Sequence, residues 1–583
     1  MTDFPWLTTI GVVPLIGVAL IALVPRGRPV LAKQIALLTS LAVAGLVVAM
    51  ATQYDKSATG YQFEEKHEWI RSFGVHYALG VDGIALVLIA LAAVLVPVVI
   101  LAAWHEADPR GALPPALPPK GAGAASHASV GAGSGPYREG LNGGSAAGST
   151  EALIGGDSGG GTPRVKTFFA LILVLETMMI GVFSATDVFL FYVFFEAMLV
   201  PMYFLIGSYG GPQRSYAAVK FLLYSLVGGL LMLAALIGLY VVSAGQLTAG
   251  TFDLQALVNA VRDGSLAIDP NIEKLMFGGF FIAFAIKAPL WPFHTWLPDA
   301  AAEATPGSAV LLVGVLDKVG TFGMLRYCLL LFPSASRYFT PAIIVLAVVG
   351  VVYGALLAIG QTDIKRLIAY ISISHFGLIS LGIFAMTTQG QSGSTLQMVN
   401  HGFSTAALFL IAGFLISRRG SRLIADYGGV QAVAPILAGT FLVAGLSGLA
   451  LPGLSTFVSE FLVLVGTFTR YKAAAVIATT GVILAAMYIL WLYQRTMNGR
   501  VADGVRGLPD LRVREIAAVA PLLALIIGLG VYPQPVLDII NPPVERTLEH
   551  VGRSDPPPTV LGGGSRESSP SALEVSATEG SIR

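Results

Sequence analysis

Residues 191–201 read Phe-Tyr-Val-Phe-Phe-Glu-Ala-Met-Leu-Val-Pro, an apolar run with one carboxylate, Glu196, near its centre. The run lies within a longer apolar stretch, Val188–Gly207, whose length of about 20 residues matches a hydrocarbon core roughly 30 Å thick. An ionised side chain at the centre of a bilayer costs roughly 2.5–3.5 kcal/mol on insertion scales, so it requires a structural or functional reason. The stretch therefore predicts a transmembrane helix that carries a buried acid.

Apolar stretches of this length recur along the chain. Of the 583 residues, 55% are hydrophobic and only 12% are charged, whereas about a quarter of the residues in a soluble domain are charged. A large soluble protein with buried helices is the alternative, and the repeated apolar stretches argue against it. The net charge of +1 and the scattered Lys and Arg residues give no indication of nucleic-acid binding. The predicted fold is an all-α polytopic membrane protein.

Apolar length, flanking charge and Pro/Gly punctuation predict about 14 transmembrane spans. The twelfth is too long for one straight helix and is interrupted at Leu451-Pro452-Gly453, so we expect a broken helix there. The approximate spans are Pro5–Val24, Gln34–Ala51, Gly83–Trp104, Thr167–Ala185, Val188–Gly207, Phe221–Ser243, Phe277–Leu297, Gly307–Phe332, Pro341–Gly360, Ile364–Met386, Leu396–Ser417, Pro435–Thr469, Ala473–Met497 and Arg514–Tyr532.

Two segments differ in composition from the spans. Ala107–Pro163 and the tail 555–583 are rich in small and turn-forming residues and cannot bury enough apolar surface to offset their ordering entropy, so we expect disorder in both. The predicted organisation is residues 1–106 for spans one to three, 107–163 for a disordered cytoplasmic loop, 164–335 and 336–498 for two five-helix units, 499–554 for the last span with its flanks, and 555–583 for a disordered tail.

Basic residues cluster in alternate loops. By the positive-inside rule these loops face the cytoplasm, which places both termini outside it in the plasma membrane. The opposite loops also contain basic residues, but in smaller clusters. The basic residues of the predicted cytoplasmic side are Arg26, Arg28, Lys33, Arg164, Lys166, Arg214, Arg418, Arg419, Arg422, Arg495, Arg500, Arg506, Arg512 and Arg514.

The cysteine count restricts the redox chemistry of the chain. Cys328 is the single cysteine. One thiol cannot form an intramolecular disulfide or supply the four cysteines that usually hold an iron–sulfur cluster. We therefore expect any electron-transfer centre of this system on another chain, unless other ligand types hold it.

Six ionisable residues lie deep within predicted spans. Any one of them could simply hold helices together, but a whole series of both signs is harder to explain in this way, because buried ion pairs stabilise poorly compared with apolar packing. Histidine titrates near neutral pH, and the proton affinity of a buried lysine depends on whether a carboxylate is near. The series predicts a hydrated proton relay in which Lys287 alternately pairs with Glu196 and separates from it. The six residues are Glu196, Lys287, Lys318, His375, His401 and Glu460.

Two of these residues lie beside predicted helix breaks. Lys287 precedes Pro289, and Glu460 follows the break at Pro452 and Gly453. Irregular backbone inside a membrane is tolerated only where it is buried in protein or lines a wet cavity. Paired breaks in corresponding positions predict an ion path built from two internal repeats, spans four to eight and spans nine to thirteen.

Several motifs from about Phe168 to Thr496 resemble the antiporter-like membrane subunits of NADH–quinone oxidoreductase, respiratory complex I. The Glu-Ala-Met-Leu-Val-Pro-Met sequence around Glu196, and a glutamate at Glu460 where related subunits generally carry lysine, resemble the M-type branch of this family most. The motifs are Phe195–Tyr203, Lys287-Ala288-Pro289, Pro292–Ala300, Asp363–Tyr370 and Ser374-His375.

This resemblance implies two inverted five-helix repeats and proton pumping driven by NADH oxidation and quinone reduction in other subunits. It also implies that NADH, FMN, the iron–sulfur clusters and the quinone bind elsewhere, and that this chain holds no cofactor or metal. The expected partners are neighbouring antiporter-like L and N subunits, other membrane subunits, lipid and protons. By the same resemblance, Glu196 and Lys287 match the family's Glu/Lys pair, Lys318 its central lysine, His375 and His401 its relay histidines, and Glu460 its terminal acid.

Three alternatives remain open at this point: a cation/proton antiporter subunit of Mrp type, a membrane subunit of a related hydrogenase complex, and a structural subunit that transports nothing. Two features depart from the family pattern. Asp317 precedes Lys318 where an apolar residue is expected, although adjacent residues do not share a helix face. The segment 107–163 is also far longer than the short loop expected there.

Overall fold

The computed structural model describes residues 4–108, 161–247 and 249–557. Most of the predicted disordered loop and nearly all of the predicted disordered tail lie outside these residues. At the edges of the loop, Asp108 forms a 2.6 Å ion pair with Lys33, and a helix begins at Gly161 rather than after Pro163. The boundaries of the predicted loop stay a prediction.

Helices dominate the described residues, which confirms the all-α fold class. The first half contains α1 (Trp6–Leu23), α2 (Pro29–Thr52), α3 (Gly83–Ala102), α4 (Gly161–Ser184), α5 (Val188–Ala197), α6 (Leu199–Tyr209), α7 (Arg214–Gln246), α8 (Leu254–Arg262), α9 (Pro270–Lys287), α10 (Trp296–Glu303), α11 (Pro306–Leu311), α12 (Lys318–Gly323) and α13 (Leu329–Leu331). The second half contains α14 (Pro333–Ile359), α15 (Ile364–Ala385), α16 (Thr388–Arg419), α17 (Val430–Val433), α18 (Pro435–Gly448), α19 (Ser455–Arg470), α20 (Lys472–Met497), α21 (Val513–Val531) and α22 (Gln534–His550).

Twelve helical segments of the described chain are long and apolar enough to cross a membrane. Ten are single helices, namely α1, α2, α3, α4, α7, α14, α15, α16, α20 and α21. The other two are composite, because α5 and α6 together form Val188–Tyr209 and the helices from α11 to α13 form Pro306–Leu331. Predicted spans seven and twelve are not among these twelve segments, and each of the two is interrupted by a helix break. The total of about 14 spans remains a prediction.

The two predicted breaks are present. Helix α9 ends at Lys287, and α10 begins only at Trp296. Helix α18 ends at Gly448, and α19 begins at Ser455. Prolines lie within both interruptions, Pro289 and Pro292 in the first and Pro452 in the second, and they prevent a regular ladder of backbone hydrogen bonds.

The segment Pro306–Leu331 contains π-helical turns on both sides of α12, at Leu312–Leu316 and Met324–Cys328. Within the first of them, the Asp317 N–H donates to the Leu312 carbonyl five residues earlier, at 3.2 Å. Such turns are uncommon and occur frequently at functional sites. They were not predicted from the sequence.

One element is not helical. Strands β1 (Gln62–Ile70) and β2 (Val75–Val81) form an antiparallel hairpin between α2 and α3. The hairpin contacts a distant loop through a 2.5 Å ion pair between Lys66 and Asp253. It is an addition to the predicted all-α fold and lies at one end of the helices.

The interior of the molecule is formed by the helices that carry most of the predicted relay. In the most apolar 18-residue stretch of each segment, every residue of Pro306–Leu331 is buried, and 94% of the residues of α15 and of α16 are buried. The corresponding share is only 28% in α1, α2 and α21. A uniformly apolar helix with an exposed surface is suited to lipid or to another membrane subunit. The packing therefore places α12, α15 and α16 at the centre, away from the lipid-facing rim.

Candidate functional site

All six predicted relay residues lie in helices, and five of them are buried. Lys287 ends α9, Lys318 begins α12, and His375, His401 and Glu460 lie within α15, α16 and α19. Glu196, near the end of α5, is only partly buried. The structure divides the six residues into a group of four and a group of two.

The group of four is a chain of close neighbours. Lys318 Nζ lies 2.8 Å from His401 Nδ1, and it also donates to the Val313 carbonyl in the π-helical turn. The rings of His401 and His375 meet edge to face, with centroids 5.2 Å apart. His375 Nε2 then lies 3.5 Å from Glu460 Oε1. Side chains from four separate helices thus form one buried line of titratable groups.

Polar side chains hold the Glu460 end of this line in place. Gln397 Nε2 donates to Glu460 Oε1 at 3.0 Å, and Ser459 Oγ donates to the other end of the same amide. Asn400 Nδ2 donates to Ser459 Oγ at 3.0 Å and to the Ser455 carbonyl at 2.7 Å. Sequence reasoning missed these residues, although Gln397 lies four positions before His401 and therefore shares its helix face.

The group of two is more open than predicted. Glu196 and Lys287 are close enough to interact electrostatically, but no direct ion pair between them is found among the described residues. Lys287 Nζ instead lies 4.8 Å from the centre of the Phe195 ring and 5.8 Å from that of Phe221. The predicted pair is therefore separated in this structure.

A glycine makes room for the Glu196 carboxyl group. A β-carbon built on Gly229 of α7 would lie 1.7 Å from Glu196 Oε1. The carboxyl group therefore rests directly against the backbone of α7. Any larger residue at this position would displace it.

The break after α9 places Lys287 at a helix C-terminus. A cation there interacts favourably with the negative end of the helix dipole. The Trp296 indole N–H donates to the neighbouring Ile286 carbonyl at 2.9 Å, which satisfies one of the acceptors that the break leaves free. The sequence Lys287-Ala288-Pro289, together with Trp296 further along, thus fixes both the end of α9 and the position of the Lys287 amine.

Among the described residues, two further buried acids have neither carboxyl oxygen hydrogen-bonded and were not predicted as relay residues. Glu176 lies in α4, and Asp317 lies between Leu316 and Lys318. Neither carboxyl group has a hydrogen-bond partner within the described part of the chain. The sequence pattern that could have identified Glu176 is the same as that of Glu196, a single acidic residue inside an apolar run.

Metal-binding clusters were also considered. In residues 4–108, 161–247 and 249–557, no group of at least three His, Cys, Asp or Glu side chains could hold a metal ion. Cys328 is a buried free thiol in the completely buried segment.

Comparisons with known proteins agree along nearly the whole chain. Residues 185–486 match the family model described as NADH:quinone oxidoreductase/Mrp antiporter, transmembrane. The chain is 56% identical over 561 residues to NADH-quinone oxidoreductase subunit M of Mycobacterium tuberculosis, covering 96% of this chain and 97% of that protein. It is 37% identical over 556 residues to the subunit M of Rhodobacter capsulatus, covering 93% and 96%.

A solved structure is similar over the same extent. One chain of respiratory complex I from Thermus thermophilus with bound NADH superposes with a TM-score of 0.75 at 28% sequence identity. The match covers 94% of the present chain and 100% of that chain. The residues matched by the family model, 185–486, include every helix that contributes to the buried line.

Proposed function

The chain belongs to the NADH:quinone oxidoreductase/Mrp antiporter family of transmembrane proteins, and from this membership and its buried line of titratable groups we propose that it is a proton-translocating membrane subunit of an NADH–quinone oxidoreductase. The observation that carries the proposal is the contact sequence Lys318–His401–His375–Glu460. Each of these side chains can bind and release a proton, and none is exposed to bulk solvent.

The geometry suits proton transfer along this sequence. The direct contact between Lys318 Nζ and His401 Nδ1 lets a proton pass from amine to imidazole. An imidazole binds a proton at one ring nitrogen and releases it from the other, so the two histidines extend the path toward Glu460. The carboxylate of Glu460 is then the terminal group, held by Gln397.

Glu196 and Lys287 supply the means of control in this proposal. The proton affinity of a buried amine depends strongly on the distance of the nearest carboxylate. Because the Lys287 amine contacts aromatic rings rather than the carboxylate here, a small movement of either side chain changes that distance. We propose that this movement couples the redox reaction to proton uptake and release.

The redox chemistry belongs to other subunits in this proposal. We infer that NADH, FMN, iron–sulfur clusters and quinone bind outside this chain, which contributes an enzyme subunit without a redox centre. The neighbours are proposed to be the antiporter-like L and N subunits, which would cover part of the exposed apolar rim of α1, α2 and α21. The units 164–335 and 336–498 are proposed to be the two inverted repeats.

The proposed orientation has both termini outside the cytoplasm, in the plasma membrane. Contacts among the basic loops support a common side for them. Lys166 donates to the Val24 carbonyl at 2.7 Å, and Arg422 forms a 2.9 Å ion pair with Glu303. Each contact joins a basic loop to a neighbouring segment, and we propose that these loops share the cytoplasmic side, as the positive-inside rule requires.

The Mrp-type and hydrogenase-linked alternatives are not favoured, because the chain is 56% and 37% identical over nearly its full length to two NADH-quinone oxidoreductase subunits M. Glu460 also agrees with the M-type pattern rather than with a terminal lysine. A purely structural subunit would not require four titratable groups in contact. We therefore retain the proton-translocating function.

The test is Lys287→Ala in the complete complex. Lys472→Ala is the matched control, because Lys472 is an exposed lysine at the start of α20. Assembly, NADH–quinone turnover and proton uptake into inverted membrane vesicles are measured separately. We expect normal assembly with proton uptake lost in Lys287→Ala alone; assembled complex that pumps at the control rate would contradict the proposal.

A further inference from the structure

The segment Pro306–Leu331 lies between the two groups of relay residues, and successive side chains of α12 face different neighbours. Lys318 and Thr321, three positions apart, both face α16. Lys318 contacts His401 there, and Thr321 Oγ1 lies 2.9 Å from Met398 sulfur. This face of the segment belongs to the group of four.

The adjacent face belongs to the group of two. A β-carbon built on Gly320 would lie 2.5 Å from the Phe284 carbonyl oxygen and 2.6 Å from the Ala288 backbone nitrogen, so Gly320 packs directly on the end of α9. Asp317 precedes Gly320 by three positions and therefore lies on the same face, one turn earlier. Lys287 is the last residue of α9, so Asp317 lies on the face of the segment that packs against the end of α9 carrying this amine.

Asp317 does not behave as a structural acid. Asp187, Asp253 and Asp363 each accept hydrogen bonds from backbone N–H groups at the start of a helix. Asp317 makes no such bond, and both of its oxygens are buried without a hydrogen-bond partner among the described residues. Burying a carboxyl group in this way is costly, which argues for a role other than holding the fold together.

We propose that Asp317 is a proton-relay residue that joins the Glu196–Lys287 pair to the Lys318–His401–His375–Glu460 line. The proposal rests on the proton-translocating function proposed above. It assigns a role to the one residue of this segment that departs from the family pattern.

The transfer balances without any further reactant. The Lys287 ammonium gives a proton to the Asp317 carboxylate, which leaves a neutral amine and a neutral carboxylic acid. Asp317 then gives the proton, through the hydrated path that the relay requires, to the neutral amine of Lys318 on the adjacent face of α12, which restores the carboxylate and forms an ammonium. Lys318 passes the proton to His401 through their direct contact. At each step, only the group that gives the proton and the group that accepts it change charge.

The test compares Asp317→Asn with Asp503→Asn in the complete complex. Asparagine keeps the size of the side chain but cannot carry the proton, and Asp503 is an exposed control whose side chain is 93% accessible. We expect Asp317→Asn to assemble and to lose proton uptake by roughly 100-fold, the lower range for removing a proton-transfer group. Proton uptake at the rate of Asp503→Asn would overturn the inference.

Asp317→Glu keeps the test decisive if the asparagine variant fails to assemble. This variant retains a carboxyl group, and we expect it to retain proton uptake. We also expect one carboxyl C=O band in the NADH-induced infrared difference spectrum to move between wild type and Asp317→Glu, because Asp317 changes protonation during turnover. A structural aspartate would leave this difference spectrum unchanged, and an unchanged spectrum would overturn the inference.

The outcome for Lys287→Ala separates this inference from the function on which it rests. Loss of pumping in Lys287→Ala with normal pumping in Asp317→Asn would reject the role of Asp317 and leave the proposed function intact. Normal pumping in assembled Lys287→Ala complex would reject the proposed function itself.

Discussion

Replacing Gly229 by alanine tests whether the position of the Glu196 carboxyl group matters for proton transfer. The new β-carbon would lie 1.7 Å from Glu196 Oε1, so the oxygen must move by about 1.7 Å to reach an ordinary contact of 3.4 Å. The carboxyl group is the far end of a flexible side chain, and it can turn aside without distorting the backbone. We therefore expect the complex to assemble normally with Glu196 displaced.

The expected functional effect is large. A misplacement of about 1 Å in a reacting group can reduce a rate by about 100-fold. We expect proton uptake to fall at least about tenfold, which corresponds to roughly 1.4 kcal/mol in the barrier. The assay is NADH-driven acidification of inverted membrane vesicles, normalised to the amount of assembled complex.

Gly245→Ala is the matched control on the same helix. Nothing lies within 4 Å of a β-carbon built on Gly245, and both substitutions exchange glycine for the better helix former, a gain of up to about 1 kcal/mol. Any difference between the two variants therefore reports the displaced carboxyl group rather than helix propensity. Equal proton uptake in the two assembled variants would refute the role given to the Glu196 position.

Three further predictions concern buried charges. Glu460→Gln keeps an acceptor for the Gln397 amide but removes the terminal titratable group, so we expect normal assembly and loss of proton uptake in vesicles; retained uptake would count against Glu460 as the terminal acid. Asp82→Ala removes one partner of a buried 2.7 Å ion pair with Arg326 and should destabilise the chain by roughly 3–5 kcal/mol. Asp538→Ala, which breaks the exposed pair with Lys56, should leave the stability nearly unchanged, because water screens this pair; thermal unfolding of the purified complex compares the two variants, and equal midpoints would contradict the difference expected between a buried and an exposed pair. Glu176→Gln should leave proton uptake unchanged, because Glu176 lies in α4, which carries no relay residue, and has no hydrogen bond or ion pair to one in the described chain; a loss of uptake would add it to the path.

The sequence was sufficient to predict most membrane spans and both broken helices. Apolar length identifies a span without knowledge of its neighbours. The prolines that follow Lys287, and Pro452 in the second break, interrupt the helix through the local backbone alone. The burial of five of the six ionisable residues could be predicted for the same reason, whereas Glu196 is only partly buried. Each of these features depends on residues that are close together in the chain.

Features that depend on tertiary contacts could not be predicted. The π-helical turns around α12 place Lys318 on His401, a residue of another helix that no local pattern identifies. The separation of Glu196 from Lys287 depends on the Phe195 ring and on the backbone at Gly229 of a third helix. The hairpin β1–β2 was missed because its first strand is mostly exposed and lacks an alternating apolar pattern.

The central claim is that the buried line beginning at Lys318 conducts protons. The most direct measurement is the proton uptake per NADH oxidised by vesicles that contain assembled Lys318→Ala complex, with Lys472→Ala as the control. Removing the amine breaks the contact with His401 Nδ1 at the start of the line. We expect proton uptake to be lost in the Lys318→Ala complex and kept in the Lys472→Ala control. An assembled Lys318→Ala complex with the control ratio of protons to NADH would contradict it.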